Sequence, residues 1–154
     1  MLPDEVFRSR LHATITALRY WAPSIADTAR LEQTETSDYW KIIVAPAVAS
    51  ACPFELILHS DQRYDLTISG ETYESRPIET FDWFVPFAEA VSEGKVVQRR
   101  WISRLTGLER SVETVVTLAG GGIWREGRGG AARTPTLDDD GTELRERRFL
   151  PYRR

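Results

Sequence analysis

The chain has 154 residues, a length typical of one domain, and its 42% hydrophobic and 28% charged residues are ordinary for a soluble globular protein. Its 10 glycines and 8 prolines are too few for a fibrous or disordered chain. The single cysteine, Cys52, excludes an internal disulfide and a thiolate metal cluster, and the net charge of −3 gives no overall basic field for nucleic acid. We therefore expect residues 1–154 to form one domain.

The first ten residues and the longest apolar stretch indicate where in the cell the protein is located. The first ten residues carry charges of both signs and lack the apolar core of about 7–15 residues that a secretory signal needs. The longest apolar stretch, residues 42–54, is interrupted by proline and serine and is shorter than the ~20 residues that cross a bilayer. We expect a cytoplasmic protein without a membrane partner.

The first 38 residues predict helices. Apolar residues recur every three or four positions over residues 3–22, which indicates an amphipathic helix that ends at the following proline. Ser24 and Asp27 have the spacing of a capping signal, so a short second helix is expected through Leu31. The polar residues 32–38 are typical of a connection.

Three strands are expected next, over residues 39–48, 54–59 and 64–69. Pairing Leu58 with Leu66 keeps the apolar rows of the last two strands on one face, with a three-residue loop between them. This register places His59 opposite Asp65 on the other face.

A second main helix is expected over residues 81–93, with Pro86 in its first turn, Asp82 as the N-cap and Gly94 as the stop. A second hairpin follows, with strands over residues 96–105 and 110–118.

In the register that we predict for this second hairpin, Trp101 lies opposite Thr114, and Arg99 shares a face with Val97, Trp101 and Val116. The Gly120–Gly122 run predicts a turn that needs positive φ. A short strand around Ile123, a Gly/Asp-rich loop at about 127–142 and an edge strand over 144–152 complete the chain.

These elements predict an α+β fold in the order α-α-β-β-β-α-β-β-β(-β): a mainly antiparallel sheet of about six strands with the helices packed on one face. In element order alone, this pattern resembles two architectures. Type III secretion chaperones, which are small dimers, hold effector segments without catalysis, and cone-shaped folds of the nuclear-transport-factor type enclose a pocket between helices and a curved sheet. No residue motif accompanies either resemblance.

Two glycine- or acid-rich stretches have the spelling of known sites but not their context. Residues 138–142 spell DxDGT, which resembles the first motif of haloacid-dehalogenase-type phosphatases. That motif needs a preceding buried strand and a doubly wound sheet after it, and only twelve residues follow here. A solvated acidic loop is the better interpretation. The Gly120–Gly122 run lacks the lysine and hydroxyl residue of a phosphate-binding loop.

Four side chains are candidate ligand-binding residues: His59, Trp83, Arg99 and Trp101. His59 beside Asp65 could act as a base or metal ligand, but a cross-strand polar pair is the simpler interpretation. Arg99 could orient an anionic ligand in a pocket walled by Trp101 or Trp83. Its alternative is a place at the sheet margin, with the guanidinium in water or on an acid.

The remaining tryptophans are Trp21, Trp40 and Trp124. Trp21 fits a core position, as Trp83 and Trp101 also do. Trp40 and Trp124 fit either the core or a protein interface, where Trp is enriched.

No convincing catalytic set is present, so the sequence favours a non-enzymatic binding protein, a homodimer or a carrier of a protein partner. The alternative is a small-molecule-binding protein or enzyme that holds an anionic ligand between helix and curved sheet. We expect no cofactor and no metal. Nucleic acid is a poor candidate, because acidic residues nearly cancel the C-terminal arginines.

Overall fold

A computed structural model describes residues 2–129 and 141–153. The described chain is α+β, as predicted, with nine antiparallel strands in two sheets rather than about six in one. The helices are α1 (Asp4–Trp21) and α2 (Phe84–Ser92). The strands are β1 (Ala29–Glu35), β2 (Tyr39–Pro46), β3 (Phe54–His59), β4 (Arg63–Ile68), β5 (Glu71–Pro77), β6 (Val96–Ser103), β7 (Glu109–Thr117), β8 (Ile123–Gly129) and β9 (Thr142–Arg148). Short 3-10 turns span Ala22–Ile25 and Ala119–Gly121.

The first sheet is a five-stranded meander in the order β1-β2-β3-β4-β5, and both helices pack on one of its faces. Alternate residues of β2, β3 and β4 are buried on that face because side chains along a strand point to opposite sides. Phe54 of β3 contacts Trp21 of α1 and Phe87 of α2, with ring centroids 6.4 and 6.0 Å away. The main core therefore lies between this sheet and the helices.

The second sheet has the order β8-β7-β6-β9, so the last strand lies at an edge, as the sequence predicted. One face of this sheet contacts the first sheet through polar groups. Gln98 donates from Nε2 to the carbonyl oxygen of Ile68 at 3.2 Å, and the hydroxyls of Tyr73 and Thr114 lie 3.2 Å apart. Here the inter-sheet contact depends on hydrogen bonds as well as on apolar packing.

The prediction of a second helix after α1 is wrong. A single 3-10 turn ends at Ile25, and β1 begins at Ala29 within the segment that had been assigned to helix and connection. Leu31 pairs with Val44 of β2, so ladder pairing outweighs the local capping signal. Thr36 accepts hydrogen bonds from the N–H groups of Asp38 and Tyr39, which turns the chain into β2.

The register of the first hairpin is two residues from the prediction. Leu56 lies opposite Leu66 and Leu58 lies opposite Tyr64. A shift of two preserves the faces, so the apolar rows stay together. Gln62 fixes the turn, with φ of 68° and side-chain hydrogen bonds to the backbone of Leu2.

The register of the second hairpin is three residues from the prediction, and an odd shift exchanges the faces of β7. Trp101 lies opposite Ser111, and Arg99 opposite Glu113. The shift arises because the loop is longer than predicted. The Ser103 N–H donates to the Leu108 carbonyl oxygen at 2.8 Å, and the register shifts within the hairpin between Trp101 and Ile102.

Helix α2 begins three residues later than expected. Its N-cap is Trp83 and no side chain caps it, so Asp82 does not have the predicted role. Pro86 does lie in the first turn. After the helix, Gly94 has φ of +79°, and a Cβ there would lie 2.6 Å from the nitrogen of Pro151. The glycine is required both by its conformation and by the close C-terminal segment.

That segment returns to the core after β9. The N–H of Tyr152 donates to the Ser92 carbonyl oxygen at 2.8 Å, and its hydroxyl donates to the carbonyl oxygen of Cys52. Phe149 and Tyr152 are both buried in the main core. In the part of the chain described, no helix has both the length and the apolar character needed to cross a bilayer.

Candidate functional site

An open groove of about 370 Å³ lies where the start of α2 and the connection before it face the start of β8. We call it the aromatic groove. Its walls come from β4, the β5–α2 connection, the end of β7 and β8, so residues far apart in sequence converge there. It is lined by Tyr64, Pro77, Glu79, Thr80, Trp83, Leu118, Ile123, Trp124, Arg125 and Glu126.

Three aromatic rings form one wall of the groove. Trp83 lies 5.2 Å from Tyr64 and 6.3 Å from Trp124 between ring centroids, and the two indoles are nearly parallel at 25°. Phe87 supports Trp124 from the core at 5.1 Å. Trp83 is half-buried, whereas Tyr64 and Trp124 are buried. The rings are thus held rigidly, and the groove gives access to part of them.

The local sequence explains why Trp124 faces the groove. Gly120 and Gly121 have φ of 85° and 93°, so the predicted positive-φ turn is confirmed, and it directs the chain into β8. Trp124 and Glu126 then lie on the face toward the first sheet, because they alternate with Arg125. Arg125 lies toward the other face, 3.7 Å from Glu113. The exposed Ile123 (58%) stands at the rim of the groove.

The charge at the groove is more acidic than basic. Glu126 lies 3.7 Å from Arg76, whose guanidinium also sits 5.8 Å from the centroid of the Tyr73 ring. Glu79 is exposed at the rim and has no ion-pair partner within the described residues. Burial raises the pKa of the Tyr64 hydroxyl, and the charges of Glu126 and Glu79 raise it further. This hydroxyl therefore stays protonated and neutral at physiological pH.

The structure separates the four side chains predicted as a site. Trp83 lines the aromatic groove. Arg99 and Trp101 lie on the face of the second sheet that carries Glu113, since they alternate with the inward Gln98. Trp101 is 6% exposed but lies outside the main core cluster. His59 is on the first sheet, so no common pocket contains all four.

Arg99 is paired rather than waiting for a ligand. Its Nε donates to Glu146 at 3.0 Å, and a second nitrogen donates to Glu113 at 3.3 Å. Arg148 also binds Glu146, at 2.9 Å. An anion at Arg99 would have to compete with these two carboxylates. This arrangement matches the alternative in which the Arg99 guanidinium lies on an acid at the sheet margin.

His59 lies on the uncovered face of the first sheet. Its Nε2 is 2.8 Å from Asp65, and the other Asp65 oxygen accepts from the Ser75 N–H at 2.7 Å. Burial alone would raise the pKa of Asp65, but the hydrogen bonds from Ser75 and His59 outweigh burial and lower it. This contact is diagonal across the strands, since Asp65 is directly opposite Ile57. The pair can exchange a proton, but no hydroxyl or thiol hydrogen bonds to the imidazole within the described residues.

Sequence reasoning missed an ion cluster between the sheets, formed by Glu71, Arg100, Glu109 and Arg128, of which only Glu71 is buried. Glu71 has a side chain only 5% exposed, and Arg100 and Arg128 each donate to it at 3.1 Å. Arg128 also binds Glu109 at 2.9 Å, and Arg100 contacts Glu109 as well. Two positive and two negative charges balance, so the cluster is suited to joining the sheets. No sequence signal marked Glu71, because it begins an unpredicted strand.

In residues 2–129 and 141–153, no group of three or more His, Cys, Asp or Glu side chains is placed to hold a metal ion. Burial raises the pKa of the Cys52 thiol to about 12, which keeps it protonated and unreactive. The acidic stretch 138–140 of the DxDGT spelling lies outside the described residues.

The C-terminal arginines are largely engaged. Arg153 binds both oxygens of Asp27, at 2.7 and 2.8 Å, and Arg145 lies 3.6 Å from Glu143. The guanidinium of Arg147 sits 4.5 Å from the centroid of the Phe149 ring. Within the described residues, these contacts place a carboxylate or an aromatic ring beside Arg153, Arg145 and Arg147.

Comparison with known proteins gives no match: no family model, no curated protein and no solved structure is similar to this chain at a significant level.

Proposed function

We propose that this chain is a non-enzymatic binding protein that holds a segment of a protein partner against the aromatic groove. The observation that carries the proposal is the convergence of Trp83, Trp124 and Tyr64 on one open concave surface, with the exposed Ile123 at its rim. Tryptophan and tyrosine are enriched among the few residues that dominate binding energy at protein interfaces. A volume of about 370 Å³ suits one or two side chains of a partner.

Within the described residues, no reactive set of side chains is assembled, which favours binding over catalysis. His59 and Asp65 are about half-buried on a strand face, and Tyr64 in the aromatic groove has a raised pKa and no hydrogen bond to a carboxylate among these residues. The second candidate remains a small-molecule protein that holds an anion at Arg99. It is favoured only by the position of Arg99 near Trp101, and the carboxylates of Glu113 and Glu146 oppose it. Homodimerisation and a cytoplasmic location remain predictions, and light scattering of the purified chain tests the first.

Photo-cross-linking tests the proposal. A photoreactive residue replaces Ile123 at the groove rim, and a matched variant carries it at Glu32, which is exposed on β1. In the native cells, we expect one specific adduct from position 123 that position 32 does not give. The captured protein is then purified, and calorimetry measures its binding to the unmodified chain and to Ile123→Ser.

Loss of binding in Ile123→Ser, with an unchanged melting temperature, supports the groove as the binding site. Equal adducts from both positions, or a purified partner that binds Ile123→Ser as tightly as the unmodified chain, contradict the proposal.

A further inference from the structure

The charge around the aromatic groove indicates what kind of side chain it accepts. We propose that the groove binds the basic side chain, lysine or arginine, of the partner segment, with its aliphatic stem along Trp83 and its cation between the rings and the carboxylates of Glu79 and Glu126. This inference rests on the proposed function and specifies the chemistry of the partner.

The arrangement of the rings favours a cation. A cation within about 6 Å of an indole or phenol face is attracted by the negative electrostatic potential of that face, and tryptophan gives the strongest attraction. Trp83 and Trp124 lie nearly parallel, and Tyr64 meets Trp83 edge to face. The same neighbourhood already holds a guanidinium in this way, since Arg76 lies over the ring of Tyr73.

The charges at the groove favour a cation. Two carboxylates line the groove, and Arg76 lies 3.7 Å from one of them. Arg125 also lines the groove but lies toward Glu113 on the other face of the sheet. Glu79 is left without an ion-pair partner among the described residues. An incoming cation can therefore pair with Glu79, whereas an incoming anion finds both arginines already beside carboxylates.

The groove combines apolar and charged surface. Leu118, Ile123 and Pro77 line it together with the aromatic rings, and the half-buried Glu126 and the exposed Glu79 supply the charge. Lysine and arginine have this same order, with an apolar stem and a charged end. A purely apolar side chain would use the wall and leave Glu79 unpaired.

Nuclear magnetic resonance can test the inference on the full chain. The probes are blocked pentapeptides with two glycines on each side of a central lysine, arginine, norleucine or glutamate, with tetramethylammonium chloride as a free cation. The readout is the indole N–H resonances of Trp83 and Trp124. Trp40 lies in the core and Trp101 on the far face of the second sheet, so their resonances serve as internal controls.

We expect the lysine and arginine peptides to shift the Trp83 and Trp124 resonances and to bind about tenfold more tightly than the norleucine peptide. Glu79→Gln should remove most of this preference, whereas Glu74→Gln, an exposed carboxylate on β5, should not change it. Raising the salt concentration should weaken the binding of the lysine and arginine peptides and leave the binding of the norleucine peptide unchanged.

The outcomes separate the two proposals. If the lysine and norleucine peptides shift the Trp83 and Trp124 resonances with equal affinity, the proposal that the groove prefers a basic side chain is overturned. The groove then remains a binding site. Tighter binding of free tetramethylammonium than of the lysine peptide assigns a small cation instead of a partner side chain. Absence of any shift at Trp83 and Trp124 overturns the inference, while cross-linking from position 123 still decides the proposed function.

Discussion

The two sheets are stabilised in different ways. The five-stranded sheet turns an apolar row of Phe, Leu, Ile and Trp side chains toward α1 and α2. The four-stranded sheet turns a mixed face toward the first sheet, where Gln98 and Thr114 hydrogen-bond and the ion cluster pairs its charges. The first sheet is stabilised mainly by the hydrophobic effect, and the contact between the sheets depends on specific polar partners as well as on apolar packing.

The aromatic groove lies at the junction of these two regions. Tyr64 belongs to the first sheet and Trp124 to the second, and Trp83, the N-cap of α2, contacts both. A shift of one sheet relative to the other would separate the rings. We therefore expect the polar contact between the sheets to position the groove, and we expect the two regions to respond differently to substitution.

The largest effect is expected in the core of the first sheet. Leu56→Ala removes a fully buried side chain at the centre of β3 and should lower the free energy of unfolding by about 2–5 kcal/mol. Urea denaturation measures it. Ile57→Ala, on the half-buried opposite face of the same strand, is the matched control and should cost clearly less. Equal losses for the two variants would contradict the assigned faces.

The ion cluster should show a smaller loss. Glu71→Gln leaves Arg100 and Arg128 with Glu109 and water, because both arginines are partly exposed, and we expect a loss of about 1–3 kcal/mol. Glu74→Gln on the exposed side of β5 is the control and should change stability little. If Glu71→Gln also broadens the Trp83 and Trp124 indole resonances, the cluster positions the groove; an unchanged spectrum would show that it does not.

Gly70 and Gly94 both have positive φ but different surroundings, so alanine at each position distinguishes the cost of backbone strain from the cost of a steric contact. Gly70→Ala and Gly94→Ala both place Ala at positive φ, which costs about 1–2 kcal/mol. A Cβ at Gly70 meets open space, whereas one at Gly94 meets the backbone of Pro151 and Leu150. Gly94→Ala should therefore be more destabilising in thermal unfolding. Equal melting temperatures would mean that the C-terminal segment is not packed there.

The smallest effect is the pH dependence. Asp65 on the first sheet and Glu109 in the ion cluster both have a pKa below the usual value, against the effect of burial, because hydrogen bonds from Ser75 and His59 or from Arg100 and Arg128 stabilise their charged forms. The unfolded chain takes up protons first as the pH falls. Stability should thus be constant above the unfolded pKa of about 4 and decrease below it.

Asp65→Asn and Glu109→Gln divide this acid dependence between the sheets. Each variant should reduce the loss of stability in urea denaturation below pH of about 4, since each removes one group of lowered pKa. An acid dependence unchanged in both variants would show that other carboxylates cause it.

The sequence predicted the parts of the fold that depend on apolar alternation. Phe54, Leu56 and Leu58 alternate clearly, and β3 lies where it was expected. β1 carries one strong apolar residue, Leu31, and β5 carries Tyr73 among polar residues, so neither had a pattern to detect. Their places are set by pairing with neighbouring strands, which local sequence does not encode.

The second hairpin shows the same limit in its register. β6 and β7 carry apolar and charged residues on both faces, so a register wrong by three residues still gave a plausible pattern and placed Arg99 of β6 beside Val116 instead of Glu113. Of the four candidate side chains, Trp83 lines the groove, whereas Trp124 and Glu79 were not predicted to join it. Such convergence depends on how the two sheets pack, and no spacing in the chain reports it.

Hydrogen–deuterium exchange of the full chain, with and without the partner recovered by cross-linking, tests the central claim most directly. We predict slower exchange in residues 77–83 and 118–126, which carry the groove, and unchanged exchange in β2. Protection confined to the first sheet, with the two groove segments unchanged, would contradict the account.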